Sequence, residues 1–103
     1  APFLSHPDWS ECFQLATDAS TYGLGAMLFQ EKGGVRHFIG FKSRALSSSE
    51  KNYSATKLEL LAIVWALGSF RYYLLGRRFI VHCDHQALSW LHRNKEPNKT
   101  ILN

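Results

Sequence analysis

Three acidic residues stand where the fold could gather them into one reactive site. Asp18 follows one strand-like run, Glu59 lies inside a helix-like run, and Asp84 follows a second strand-like run. Each also has an ordinary reading, since aspartate favours turns and helix starts and a glutamate can occupy a half-exposed helix end. Brought together, the carboxylates would repel one another unless divalent cations held them, and all-oxygen donors suit Mg²⁺ or Mn²⁺. Pairs of such ions are a common means of hydrolysing phosphodiesters.

Of the three acids, Glu59 has the surroundings in which a charged carboxylate is least favourable. At 100° per residue, Ile63, Ala66 and Phe70 fall within about 40° of Glu59 on a helical wheel, which places the carboxylate in an apolar stripe. The rest of the helix is also apolar, through Leu60, Leu61, Val64, Trp65 and Leu67. This pattern predicts a largely buried helix. A carboxylate there requires a basic partner, a raised pKa or a metal.

The elements that would position these acids follow one another in the order βββαβα. After an irregular lead-in over residues 1–10, the first strand is predicted over Cys12–Thr17, with Asp18 at its exit. The runs "AMLFQEK" and "VRHFIGFKS" are predicted as the next two strands, joined by a hairpin at Gly33-Gly34. These three short-linked strands should form an antiparallel meander.

A long helix is predicted from about Ser54 to Leu75, ending at Gly76, with Ser54 or Ser49 as its N-cap. The strand "RFIVHCD" and a short helix "HQALSWLHRN" follow. We expect this fourth strand to lie parallel to the first and beside it, an arrangement that requires a right-handed crossover. The sequence therefore predicts an α/β mixed sheet in which Asp18, Glu59 and Asp84 converge at the carboxyl ends of two neighbouring strands, where ligand sites form.

Composition limits the class of protein. The 103 residues are 46% hydrophobic and carry a net charge of +4, which predicts one globular domain over residues 1–103 and is compatible with a polyanionic partner or an ordinary basic surface. No apolar run is long enough to span a membrane, so no membrane association is expected. The lack of an initiator Met indicates a piece of a longer polypeptide, and Cys12 and Cys83 are expected to be reduced intracellular thiols.

Four segments resemble a known family when taken in order: "TDASTYGLGAMLFQ", "FKSRALSSSEKNYSATKLELLAIVWAL", "FRYYLLGRRF" and "CDHQALSWL". They resemble the ribonuclease H domain of gypsy-type long-terminal-repeat retrotransposon reverse transcriptases, from roughly Pro2 to Pro97. The resemblance implies a ribonuclease H-like fold with a mixed sheet and flanking helices. It implies an endoribonuclease that cleaves the RNA strand of RNA–DNA hybrids during reverse transcription, as part of a retrotransposon polyprotein.

The same resemblance implies that Asp18, Glu59 and Asp84 are catalytic acids that bind two Mg²⁺ or Mn²⁺ ions, with His85 supporting Asp84. The implied partners are an RNA–DNA hybrid and the polymerase part of the same polyprotein, inside the cell, in a cytoplasmic virus-like particle or the nucleus. Small polar and basic groups near the acids are candidates for hybrid contacts. These candidates are Ser20, Tyr22, Gly23, Arg44, Asn52 and Tyr53.

The chain departs from the family pattern at three places. Cys83 stands where a Thr is usual, and Thr56-Lys57-Leu58-Glu59 keeps only the second of two acids. The family's C-terminal strand and helix, with a fourth acid, are expected to be absent from this truncated chain. An open sheet edge would then permit dimerisation.

The sequence alone also allows two alternatives to the nuclease. One is a non-catalytic ribonuclease H-like module, structural or nucleic-acid-binding; another is a small metal-independent interaction domain. A zinc site at His82, Cys83 and His85 with Cys12 is disfavoured, because alternation along a strand turns His82 and Cys83 to opposite faces.

Overall fold

The computed structural model of the protein describes residues 4–83. The elements, in chain order, are β1 (Phe13–Ala19), β2 (Gly23–Lys32), β3 (Val35–Ala45), a 3₁₀ turn (Glu50–Asn52), α1 (Ala55–Ser69), α2 (Arg71–Leu74) and β4 (Phe79–His82). The short helix predicted over "HQALSWLHRN" lies outside the described residues, as do Asp84 and His85.

The sheet has the strand order β3-β2-β1-β4. β1 and β3 each pair antiparallel with β2, and β4 pairs parallel with β1, so the predicted mixed sheet is confirmed. The hairpin between β2 and β3 turns at Gly33 and Gly34, whose φ angles of 60° and 80° lie in the region that favours glycine. β1 therefore occupies the interior of the sheet, between β2 and β4.

The predicted end of the first strand was wrong by two residues. β1 continues through Ala19, and the ladder with β2 includes Asp18 opposite Gly25. Ser20, not Asp18, makes the turn, because its Oγ accepts hydrogen bonds from the backbone N–H groups of Tyr22 and Gly23 at 3.1 and 3.2 Å. Asp18 is thus a strand residue and does not form the turn.

The long predicted helix is two helices. Ser54 caps α1 as predicted, its Oγ accepting from the Lys57 N–H at 3.2 Å, but α1 ends at Ser69 and α2 begins only at Arg71. The intervening Phe70 has only 2% of its surface exposed. Lys42 Nζ donates to the Ser69 carbonyl at 3.0 Å, which satisfies a helix-end acceptor. Tertiary contacts at Phe70 therefore interrupt a sequence that is locally helical throughout.

Burial of α1 is one-sided, which corrects the prediction of burial nearly all round. Leu58, Ala62, Ile63 and Ala66 are buried, whereas Val64 is 65% exposed. The sheet covers only one side of a helix, so an apolar residue on the far side stays in solvent unless another element packs there. The core between α1, α2 and the sheet is built around Phe13, Leu15, Leu28, Phe70 and Leu74.

The lead-in before β1 is irregular, as predicted, but it is anchored. The Gln30 side chain is 1% exposed; its Oε1 accepts from the Asp8 N–H at 2.9 Å, and its Nε2 donates to the carbonyls of Asp8 and Glu11. Trp9 stacks on Tyr73, with ring centroids 5.9 Å apart. Within residues 4–83, no helix is long and apolar enough to cross a membrane.

Candidate active site

An open cavity of about 270 Å³ lies at the carboxyl end of β1. Its lining consists of Thr17, Asp18, Ala19, Glu59, Ala62 and Cys83. The structure therefore brings Asp18 and Glu59 to one cavity, together with Cys83, which directly precedes Asp84 in the sequence. Asp84 itself lies outside the described residues.

The central strand positions Asp18. Phe13 and Leu15 are almost completely buried and fix β1 in the core, and the strand pairs with a neighbour on each side. Asp18 is exposed near the open end of this strand. A carboxylate held there by a rigid backbone can meet a ligand from solvent.

The first turns of α1 position Glu59. Ser54 begins the helix, and Leu58 and Ala62 on either side of Glu59 pack in a buried cluster with Leu24 and Leu46. Glu59 is half-buried and its Oε2 atom is buried. Packing of its helical neighbours therefore directs this carboxylate into the cavity that Asp18 also lines.

The parallel pairing of β4 with β1 sets the third side of the cavity. The register runs from Phe13 opposite Phe79 to Ala16 opposite His82. Cys83 follows β4 and is half-buried in the cavity wall beside Thr17. That Cys12 and Cys83 are reduced thiols stays a prediction.

The donor set decides which metal this cavity fits. Asp18 and Glu59 both offer carboxylate oxygens, which are the ligands that Mg²⁺ and Mn²⁺ prefer. Residues 4–83 contain no group of three acidic, histidine or cysteine side chains placed to hold a metal, so the described pair requires a further donor, and the predicted one is Asp84. The residues present fit a divalent hard cation.

Of the described members of the disfavoured zinc set, Cys83 lines the cavity, whereas His82 and Cys12 contact other groups. His82 Nε2 lies 2.7 Å from Gln14 Oε1, and the His82 ring stacks on Phe29. Cys12 Sγ donates to the Arg78 carbonyl at 3.7 Å. These contacts hold His82 and Cys12 in separate local networks and give no support to zinc.

Three of the proposed hybrid-contacting residues form the turn between β1 and β2. Ser20 caps that turn, and Tyr22 is 82% exposed at its tip. Gly23 has a structural reason to be glycine, because a Cβ there would lie 2.6 Å from the Arg44 carbonyl oxygen. Ser20 and Tyr22 are therefore both exposed and close to Asp18 in the sequence.

The other three candidates lie at the far end of β3 and before α1. Arg44 forms a bidentate pair with Glu50, with N–O distances of 2.7 and 2.9 Å. The Arg44 guanidinium, followed by the Ser47 backbone N–H, lowers the pKa of Glu50 to about 2. Asn52 is exposed in the 3₁₀ turn, and Tyr53 is half-buried beneath Lys57, whose Nζ lies 4.0 Å from the ring centroid.

A mixed sheet of this order, with a helix packed across it and two carboxylates at the open end of the central strand, defines a ribonuclease H-like domain. The chain belongs to the family described as the RNase H-like domain found in reverse transcriptase, which it matches over residues 8–103.

The curated relatives are retrotransposon polyproteins. The chain is 54% identical over 100 residues to the retrovirus-related Pol polyprotein from transposon 297 of Drosophila melanogaster, covering 97% of this chain and 9% of that protein. It is 41% identical over 99 residues to the Pol polyprotein from transposon gypsy of the same species, covering 95% and 9%. The chain thus spans less than a tenth of the length of these relatives, and the gypsy-type resemblance is confirmed.

Solved structures show the same fold. The foamy viral protease-reverse transcriptase in complex with dsDNA superposes with a TM-score of 0.70 at 17% identity, over 91% of this chain and 19% of that chain. The same viral protein in complex with an RNA/DNA hybrid gives a TM-score of 0.61 at 17% identity, over 91% and 15%.

Proposed function

We propose that this domain is a divalent-metal-dependent ribonuclease H that cleaves the RNA strand of RNA–DNA hybrids, as part of a retrotransposon reverse transcriptase. The observation that carries the proposal is the shared cavity of Asp18 and Glu59 at the open end of β1. A fold alone does not determine an activity, so the proposal depends on these two carboxylates.

The carboxylates have a cost that the proposed function explains. Carboxylates that lie close together repel one another, and burial of Glu59 Oε2 makes a charge there costly to maintain. Asp18, Glu59 and Asp84 would hold two Mg²⁺ or Mn²⁺ ions. When bound, such a pair supplies an activated water and stabilises the departing 3′ oxygen.

The chain's own residues then have separate tasks. Asp18, on the interior strand β1, is more exposed than Glu59 and would be shared by both ions. Glu59 is fixed by the packing of Leu58 and Ala62 and would complete the coordination of one ion. Asp84 would complete the other. No side chain needs to act as a nucleophile.

Substrate recognition would use the exposed surface beside the acids. Ser20 and Tyr22 stand at the turn that follows Asp18, and Asn52 is exposed before α1. Small polar groups can sense 2′-hydroxyls in the shallow minor groove of a hybrid, and an exposed tyrosine ring can pack against sugars. The net charge of +4 favours a polyanionic substrate.

The test is cleavage of an end-labelled RNA–DNA hybrid in Mg²⁺, in Mn²⁺ and in EDTA, by the full chain and by the reverse transcriptase that carries it. Asp18→Asn, Glu59→Gln and Asp84→Asn should each abolish cutting of the RNA strand. Glu11→Gln makes the same chemical change at an exposed acid outside the cavity and should leave the rate unchanged.

Two results would contradict the proposal. If Asp18→Asn cut the hybrid as fast as the unsubstituted protein, the proposed active site would be wrong. If the protein cut double-stranded DNA as fast as the hybrid, the proposed substrate class would be wrong. Hybrid binding without cutting, in both the chain and the reverse transcriptase, would favour the non-catalytic nucleic-acid-binding module instead.

A further inference from the structure

Three glycines lie inside the strands of this sheet, and the fold explains two of them. At Gly23 a Cβ would lie 2.6 Å from the Arg44 carbonyl oxygen, and at Gly40 it would lie 2.8 Å from Cε1 of the buried Phe70 ring. Both positions admit no side chain because backbone or a packed ring occupies the space. Glycine weakens a strand, so each such position calls for a reason of this kind.

Gly25 has no such reason among the residues that the structure describes. Its φ is not in the positive range, and a Cβ there would meet no heavy atom within 4 Å in the part of the chain that the structure describes. The fold would therefore accept alanine, or a larger strand former, at this position. Contacts among residues 4–83 do not explain this glycine, so another reason for it is needed.

The neighbours of Gly25 indicate what that is. In the ladder, Gly25 lies directly opposite Asp18 on β1 and directly opposite Ser43 on β3. Side chains at directly opposed positions project from the same face of a sheet, about 5 Å apart. The missing side chain thus leaves a gap between an exposed serine and the exposed carboxylate of the proposed site.

We infer that Gly25 is a substrate-contact position at which the absent side chain lets the sugar–phosphate backbone of the cleaved strand lie against β2, beside Asp18. This inference rests on the proposed function. A bulky, rigid strand of ribose and phosphate can reach a carboxylate on a sheet only where the adjoining side chains are small. Strand glycines serve such close approaches of another backbone.

The experiment compares Gly25→Ala and Gly25→Val with Gly68→Ala, all in the full chain and in the reverse transcriptase that carries it. Gly68, near the end of α1, also has no positive φ and no heavy atom near an added Cβ among the described residues, so it is a matched open glycine away from the cavity. Three quantities are measured: the thermal midpoint, its rise on adding Mn²⁺, and the Kd for a labelled RNA–DNA hybrid in EDTA.

The expected result separates folding from substrate access. Gly25→Ala should raise the thermal midpoint by about 2 to 8 °C, since alanine loses less chain entropy than glycine. The Mn²⁺-induced rise should persist in both Gly25 variants, because the carboxylates are untouched. The Kd for the hybrid should increase about tenfold in Gly25→Val, since the branched side chain would occupy the space that the strand backbone needs. Gly68→Ala should bind as the unsubstituted protein does.

Each other outcome has a definite meaning. Hybrid binding by Gly25→Val as tight as that of the unsubstituted protein would overturn the inference, and cleavage by the unsubstituted protein would show that the proposed function survives. Unfolding of Gly25→Ala and Gly25→Val would also overturn it, because the glycine would then serve the fold. If Gly25→Val weakened hybrid binding but the unsubstituted protein never cleaved the hybrid, the proposed nuclease function would be wrong and the inferred contact at Gly25 would stand. No hybrid binding by the unsubstituted protein would overturn both.

Discussion

Asp18 and Glu59 line the same cavity, one from the central strand and the other from the helix packed across the sheet. The two residues lie far apart in the sequence, so local chain geometry does not bring them together. The crossover from β3 through α1 to β4 brings them together, and it brings Cys83 to the same wall. Carboxylates brought close together repel one another, and the divalent cation proposed above would relieve that repulsion.

Metal binding should therefore stabilise the folded protein. At a free Mn²⁺ concentration ten times its Kd, the expected gain is about 1.4 kcal/mol, or a rise of about 6 to 11 °C in the thermal midpoint of a domain of this size. The double variant Asp18→Asn/Glu59→Gln should lose this rise, whereas Glu11→Gln should keep it. A thermal melt with and without Mn²⁺ makes the comparison, and an undiminished rise in the double variant would rule out these acids as the ligands.

Gly23→Ala should destabilise the fold without touching the carboxylates. The added Cβ would lie 2.6 Å from the Arg44 carbonyl oxygen, and a paired strand backbone cannot move aside cheaply. The free energy of unfolding should fall by about 1 to 3 kcal/mol, as for other overpacked interiors. Urea denaturation measures it, with Gly68→Ala as the control that should stabilise α1. Equal stability of Gly23→Ala and the unsubstituted chain would show that the strand ends can separate freely.

The Arg44–Glu50 pair should make stability depend on acid pH. The pKa of Glu50 is lowered from 4.5 to about 2 in the fold, chiefly by its bonds to Arg44 and then by the Ser47 N–H. Since the folded pKa lies below the unfolded one, this contribution is fully present above pH 4.5 and is lost as the pH falls toward 2.

Urea denaturation of the unsubstituted chain and Glu50→Gln between pH 6 and pH 2 tests this linkage. The difference in the free energy of unfolding should shrink steadily below pH 4.5. In an Arg44→Met background the same Glu50→Gln change should show a weaker pH dependence, because the first cause of the lowered pKa is gone. A difference that stays constant down to pH 2 would refute the pairing.

Gln30→Leu should detach the segment before β1 from strand β2. The change keeps most of the side-chain volume but leaves the Asp8 N–H and two backbone carbonyls without the partner they have now. Loss of hydrogen bonds at a buried site should cost about 1 to 3 kcal/mol in unfolding free energy. Proteolysis before β1 should also accelerate, since Gln30 ties this segment to β2.

Ser43→Ala, at an exposed position on β3, is the control for that experiment and should change stability by no more than about 0.5 kcal/mol. If Gln30→Leu were as stable and as protease-resistant as Ser43→Ala, the anchoring role would be wrong.

The amino-acid sequence by itself determined the features that depend on near neighbours. Gly33-Gly34 specifies the hairpin because few other residues adopt positive φ, and Ser54 specifies the start of α1 because its hydroxyl replaces a missing backbone acceptor. The order of the elements follows from periodicity, and the long helix before the fourth strand supplies the crossover that a parallel strand needs. The sequence also placed Glu59 inside the helix, whereas it placed Asp18 just beyond the strand that contains it.

Only the tertiary structure decided where these elements stop and what their side chains meet. The helical run breaks at Phe70 because the ring enters the core beside Gly40 and Lys42 takes the Ser69 carbonyl. Gln30 is buried because the lead-in folds back onto it. Such contacts join residues far apart in the chain, and no local pattern encodes them. The cavity that Asp18 and Glu59 share is of this kind, since its shape depends on the register of β4 against β1 and on which face of α1 the sheet covers.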